Sequence, residues 1–171
     1  MGDQKSARHL FLGLWIALAL FNPFPAGAQE TPPGGEYFAR CNLKVIEGSR
    51  ITWLNWQSSP TFIPAGTRLK VTTAGDKATL GDVKTGATYT LDIGASGEHF
   101  LEKFVSRKTP PISGFPASIQ ANIQQAVARV GMTKEQVYIA MGPPANLGQI
   151  RTNTSTYKDI MAANLWVYAR R

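Results

Sequence analysis

Few side chains in this sequence have the types and spacing that chemistry at a protein site requires. Beyond residue 28 there is one histidine, His99. A metal site of the usual kind needs several His, Cys or carboxylate ligands close together, and no such set is present. A Ser-His-Asp arrangement would have to use His99, yet no G-x-S-x-G elbow supplies its serine, and residues 94–97 (G-A-S-G) read as a turn. Neither a G-x-x-x-x-G-K-[ST] loop nor a G-x-G-x-x-G run is present to cradle phosphates. The carboxylates are scattered. Asp92 and Glu98 read as two solvated acids, the second a helix-dipole partner. No enzymatic activity and no cofactor are expected.

Binding chemistry is better represented. Trp53 and Trp56 lie three apart, so a strand through them would place the rings on opposite faces. One would enter the core, and the other, with Phe62, could offer an aromatic platform to a glycan or peptide. Basic residues gather late in the chain, at Lys134, Arg151, Lys158, Arg170 and Arg171, within an overall net charge of +7. That balance suits an anionic phospholipid surface, a cell-wall polymer or an acidic protein patch.

The elements that position these residues begin after an export signal. Lys5 and Arg8 precede an apolar run from Leu10 to Phe21, and Ala26-Gly27-Ala28 offers a small-x-small cleavage site. The run is short for a membrane span. Residues 1–28 therefore read as a signal peptide, and nucleic acid is not expected as a partner of an exported chain. Cys41 is the only cysteine, which excludes an internal disulfide. It follows Phe38-Ala39-Arg40 well beyond the signal, so it reads as a buried thiol rather than a lipidation site.

Residues 29–36, with Pro32-Pro33-Gly34-Gly35, read as a flexible leader. From Tyr37 the pattern is short alternating strands at Leu43–Ile46, Ile51–Leu54, Leu69–Thr73, Ala78–Leu80 and Thr88–Ile93. Turns fall at 63–67, at Gly75-Asp76 and at Gly81-Asp82. An amphipathic helix follows over 98–107, with Phe100, Leu101, Phe104 and Val105 on one face. Residues 109–116 (T-P-P-I-S-G-F-P) read as a linker. A helix is expected next, through Ile119, Ile123, Ala126, Val127 and Val130, stopped by Gly131.

A second helix is specified at both ends. Thr133 is placed as N-cap and Gln136 completes a capping box, while Met132 and Val137 are spaced for a hydrophobic staple. Gly142 is expected as a left-handed C′ residue, with Pro143-Pro144 forbidding continuation. The two helices would form a tight hairpin. Residues 145–156 read as polar loop, and residues 165–169 as a closing strand whose Trp166 and Tyr168 cover the helices.

Two resemblances follow from these patterns. Residues 37–108 resemble a small SH3-like barrel of the bacterial exported kind, through strand spacing and the 63–67 turn. Residues 117–171 resemble the SmpA/OmlA domain of the outer-membrane barrel-assembly lipoprotein BamE. Gly131-Met132-Thr133-x-x-Gln136-Val137 matches its helix start, Met141-Gly142-Pro143-Pro144 its helix end with Met for Leu, and Trp166-x-Tyr168 its closing strand. The resemblance implies an α+β fold of two helices on a small antiparallel sheet. It also implies a non-catalytic role in outer-membrane protein assembly or envelope integrity, through envelope proteins and sometimes anionic phospholipid. The implied location is the periplasm or the periplasmic face of the outer membrane, here without a lipid anchor. Similar two-helix folds occur in secreted β-lactamase-inhibitor proteins, so an inhibitor or ligand-binding module acting through residues 145–156 is the alternative. Neither reading fixes an oligomeric state.

Overall fold

The structure, a computed structural model, describes residues 35–170. The expected signal peptide, the leader up to residue 34 and Arg171 lie outside the described residues. The chain begins with β1 (Gly35–Ala39), β2 (Leu43–Lys44), β3 (Arg50–Thr52) and β4 (Phe62–Ile63). Then come β5 (Arg68–Ala74), β6 (Lys77–Asp82), β7 (Thr88–Asp92), the single-turn helix α1 (Glu98–Leu101) and β8 (Val105–Ser106). The last third holds α2 (Ala117–Gln124), α3 (Lys134–Met141), β9 (Asn146–Leu147), β10 (Ile150–Arg151), α4 (Tyr157–Ala162) and β11 (Trp166–Val167).

The class is mixed α+β. A curled six-stranded sheet runs β3-β7-β6-β5-β1-β8, with β3 parallel to β7 and the other pairs antiparallel. Period-two alternation drives it. Leu69, Val71, Ala78, Leu80 and Leu91 point into the core, while Lys70, Thr72, Thr79 and Thr90 face solvent. The open inner face is covered by later chain: Tyr138 of α3 and Ile160 of α4 are buried in the same core, with Trp166 packed against it. Full burial of a side chain of that size stabilises by roughly 1.5–3 kcal/mol. A three-stranded antiparallel sheet, β10-β9-β11, presents Leu147 and Trp166 to this core. The α2 and α3 helices meet in a smaller cluster of Ile123, Ile139 and Ala140, joined by Ile119 and Met132.

Two buried asparagines stitch the sheet half to α3. Asn42 Nδ2 donates to the carbonyls of Ile123 (2.6 Å) and Ala140 (3.0 Å), and its Oδ1 accepts from Ala65 N (2.8 Å). Asn55 Oδ1 accepts from Lys44 N (2.7 Å), and its Nδ2 donates to Asn42 O (3.1 Å) and Met141 O (2.6 Å). Both amides thus use their donors and acceptor, the condition for burying them without a desolvation penalty. Gly142 lies against this pair: a Cβ there would sit 2.2 Å from Asn55 Nδ2.

Several expectations are corrected. The 98–107 helix ends after Leu101, because Val105 and Ser106 pair with Ala39 and Phe38 and take the chain into the sheet. The helix expected to reach Val130 stops at Gln124, despite its apolar periodicity. Ala126 takes a left-handed conformation (φ 54), Ala126 N bonds Ile123 O (3.0 Å), and Val127 N bonds Asn122 O (3.0 Å). That is a Schellman ending built on alanine, and a nine-residue connection replaces the tight hairpin.

Gly142 does end α3 at positive φ (75), but its ψ of −164 makes it an extended turn rather than a left-handed helical residue. Gly81 and Asp82 belong to β6, and the turn follows them, with Asp82 Oδ1 accepting from Lys84 N (2.8 Å). Residues 145–156 contain the β9–β10 hairpin. The helix α4 behind it carries its own capping box, Thr156 with Asp159. Gly35 and Glu36, expected in the leader, open β1.

Candidate functional site

A groove lined by tyrosine rings, by Arg40, Arg107 and Lys108, and by Glu98, Glu102 and Glu135 runs beside the end of β1. Arg40 follows β1, and its Nε donates to Glu102 O (2.6 Å) while the guanidinium lies 4.0 Å from the centre of the Tyr157 ring. Arg107, just past β8, stacks in the same way on Tyr37, 3.8 Å from its ring centre. Tyr37 OH donates to Glu98 Oε1 (3.2 Å), and burial raises its pKa. Two cavities meet across Arg40, Ser106 and Lys108. One, about 350 Å³, is walled by Pro110, Pro111, Tyr138 and Tyr157. The other, about 250 Å³, is walled by Tyr37, Glu98 and Arg107. The segment read as a linker therefore forms one wall of the groove.

Planar guanidiniums held on aromatic faces are preorganised donors for carboxylate or phosphate oxygens. Arginine and tyrosine are also the side chains that carry most energy at protein interfaces. Nothing in the sequence reading singled out Arg40, Arg107, Lys108 or Tyr157. The one available signal was the Arg107-Lys108 pair directly before a proline-rich stretch.

The residues predicted for binding are scattered. Trp53 and Trp56 are not in a strand: β3 ends at Thr52, and Asn55 turns the chain at φ 45 to bury its amide. The opposite-faces argument therefore does not apply. Trp53 packs against the main core. Trp56 lines a separate cleft of about 360 Å³ with Val45, Glu47 and Pro60, and Phe62 is not part of that lining. Phe62 instead lies under Lys44 Nζ, 4.8 Å from the ring centre, and that ammonium donates to Ser59 O (3.0 Å). Arg151 and Lys158 are exposed, on β10 and α4. Lys134 is engaged: its Nζ donates to Met161 O (3.2 Å) and Ala163 O (2.8 Å) at the C-terminal end of α4, where a cation suits the helix dipole.

The motif residues fall at structural posts. Thr133 Oγ1 accepts from Gln136 N (3.3 Å) and Gln136 Oε1 from Thr133 N (2.9 Å), forming the expected capping box. Gly131 is exposed at φ 94, Met132 packs on the small α2–α3 cluster, and Val137 is half-buried. Pro143 is buried. Trp166 Nε1 donates to Ile160 O (2.9 Å), and its ring meets Tyr138 edge-on at 5.9 Å. Tyr168 OH donates to Gly142 O (3.3 Å). Cys41 is fully buried, and desolvation pushes its thiol up to about 12.

Asp92 and Glu98 serve separate partners, Gly94 N and Tyr37 OH. Lys103 was expected on a helix and is instead buried in the core. Its Nζ donates to the carbonyls of Thr152 (2.9 Å) and Asn153 (3.0 Å), and burial lowers its pKa to about 8. Among the described residues no three His, Cys, Asp or Glu side chains gather as metal ligands, and no helix is long and apolar enough to cross a membrane. The chain matches no known family model, no curated protein and no solved structure.

Proposed function

We propose that this chain is an exported, non-catalytic binding module of the cell envelope that engages an acidic partner through the Arg40–Arg107–Lys108 groove. The observation that carries this reading is the pair of arginine–tyrosine stacks flanking that groove, at 4.0 and 3.8 Å. Each fixes a guanidinium before any partner arrives, so less side-chain entropy is lost on binding. The curled sheet supports an SH3-like relationship for the first half. The capped helix α3 and the short strand β11 (Trp166–Val167), with Tyr168 just beyond it, support an SmpA/OmlA-like relationship for the last third. On that reading the partner is an envelope protein of outer-membrane assembly, met at the periplasmic face, with anionic phospholipid as an accessory surface.

Photo-crosslinking in intact cells tests this, with one probe at Lys108 and another at Arg151. Adducts from position 108 with envelope-assembly proteins, lost in the Arg40→Ser, Arg107→Ser double variant, are expected. A lone hydrolase captured from position 151 and nothing from 108 would replace this reading with the inhibitor one. Flotation with phosphatidylglycerol vesicles at low salt tests the lipid component, which is rejected if the chain stays at the bottom of the gradient.

A further inference from the structure

A further concavity, of about 420 Å³, lies between Gln57 and the turn that ends α2. Three features converge on it. Arg129 and Arg170 line it, both exposed, and neither guanidinium has a hydrogen-bond or ion-pair partner among the described residues. The wall between them is apolar, from Ala126, Val127 and Met141, and Ala126 holds the left-handed conformation that alanine ordinarily avoids. The third feature is the Gln57 amide. Its Nε2 donates to Asn55 O (2.5 Å) and Met141 O (2.9 Å). Two carbonyl partners fix which end is nitrogen, so the other end is the oxygen. That Oε1 is closed off from water and has no donor among the described residues.

We propose that this cavity binds the carboxylate of an N-acylated aliphatic amino acid, whether a free small molecule or the C-terminal residue of a polypeptide. Two unpaired guanidiniums select an anion, and their fork geometry suits a carboxylate. The apolar wall gives an inorganic anion nothing to contact, whereas a short branched side chain covers it. An amide N–H next to the carboxylate supplies the donor that the Gln57 oxygen lacks once the carboxamide swings outward, a movement that gives up its Nε2 bonds to Asn55 O and Met141 O, the second of which keeps Asn55 Nδ2. The proposal is independent of the groove at Arg40, which shares no lining residue with this cavity.

The test is an amide-resolved NMR titration of the chain with N-acetylvaline and, separately, with N-acetylvalinamide. The acid should shift Gln57 and residues 126–129, and the neutral amide should bind at least about tenfold more weakly. The Arg129→Gln, Arg170→Gln double variant, altered only at exposed positions, should weaken the acid by about tenfold and leave the rest of the spectrum in place. A peptide ending in valine distinguishes the sources: tighter binding than N-acetylvaline assigns the site to polypeptide ends, and equal binding assigns it to small molecules. Equal affinity for acid and amide overturns the proposal. So does inorganic phosphate shifting the same amides as strongly as the acid does. Crosslinking from position 108 is unaffected by either result, so this proposal and the proposed function fail separately.

Discussion

The Asn42–Asn55 pair and Lys103 perform the same mechanical task with different chemistry. Each ties the last third of the chain to the sheet through backbone carbonyls: Ile123, Ala140 and Met141 for the amides, Thr152 and Asn153 for the ammonium. The amides are neutral and fully satisfied, so their burial costs little and does not change with pH. Lys103 is buried with no carboxylate against it; Asp92 acts only through its field, opposing the larger effect of desolvation. One seam is therefore permanent, and the other carries a charge that the fold pays to keep.

The largest effect that separates the two seams is expected from Asn55→Ala. It leaves Lys44 N and Asn42 O buried without a partner, while Met141 O keeps Gln57 Nε2. The cost should be about 4 kcal/mol, read as a lower urea midpoint at unchanged slope. Gly142→Ala should cost about 3 kcal/mol, from the contact with Asn55 Nδ2 and the positive φ. If both losses arise at one place, the Asn55→Ala, Gly142→Ala double variant should lose clearly less than their sum. Strict additivity would show that the clash is relieved elsewhere.

The charged seam predicts a pH effect. Lys103 has a pKa of about 8 in the fold, below its ordinary value of 10.5. Below pH 8 both folded and unfolded chains hold the proton, and the folded one bears the full desolvation cost. Above pH 8 the folded chain releases it first, so the unfolded state binds more protons and stability rises with pH. The gain should be about 1 kcal/mol between pH 8 and 9. Cys41, raised from 9.0 to about 12, opposes it at higher pH, because there the folded chain is the one that keeps a proton. Chemical unfolding of Lys103→Met should lack the rise between pH 8 and 9. A variant that keeps the rise would assign it to another group.

The smallest effects come from the two capping boxes, where Thr133→Ala and Thr156→Ala should each cost about 0.5–1 kcal/mol. They differ in acid. Asp159, whose carboxyl is held below the usual range by its bonds to Thr156, gives up its capping role as pH falls below that range. The Gln136 box has no such group. Helix content measured down the acid limb should therefore fall further in Thr133→Ala than in Thr156→Ala, relative to each at neutral pH.

Much of this architecture was legible because it is written in local chemistry. Turn residues and period-two alternation located β2, β3, β5, β6 and β7, and the α3 boundaries followed from Thr133, Gln136 and Gly142. The α4 helix carried the same kind of signal in Thr156 and Asp159, but its box sits at the end of a polar run and the helix it opens is only six residues long. What stayed hidden depends on distant partners. No local pattern says that Asn42, Asn55 and Lys103 are buried, because each is satisfied by carbonyls far along the chain. Ala126 misled the periodicity because an alanine seldom takes the conformation that glycine takes at such a helix end. The Arg40 groove was hidden for the same reason as the asparagines: its stacking ring, Tyr157, comes from the opposite end of the sequence.

The covering of the curled sheet by Tyr138, Ile160 and Trp166 also sets an order of events during synthesis. The strands are synthesised well before the residues that roof them, so their inner surface stays uncovered until Tyr138, Ile160 and Trp166 have followed. A nascent chain halted before Ile160 would present that surface to any chaperone at hand, and arrival of Ile160 and Trp166 would be the step that withdraws it.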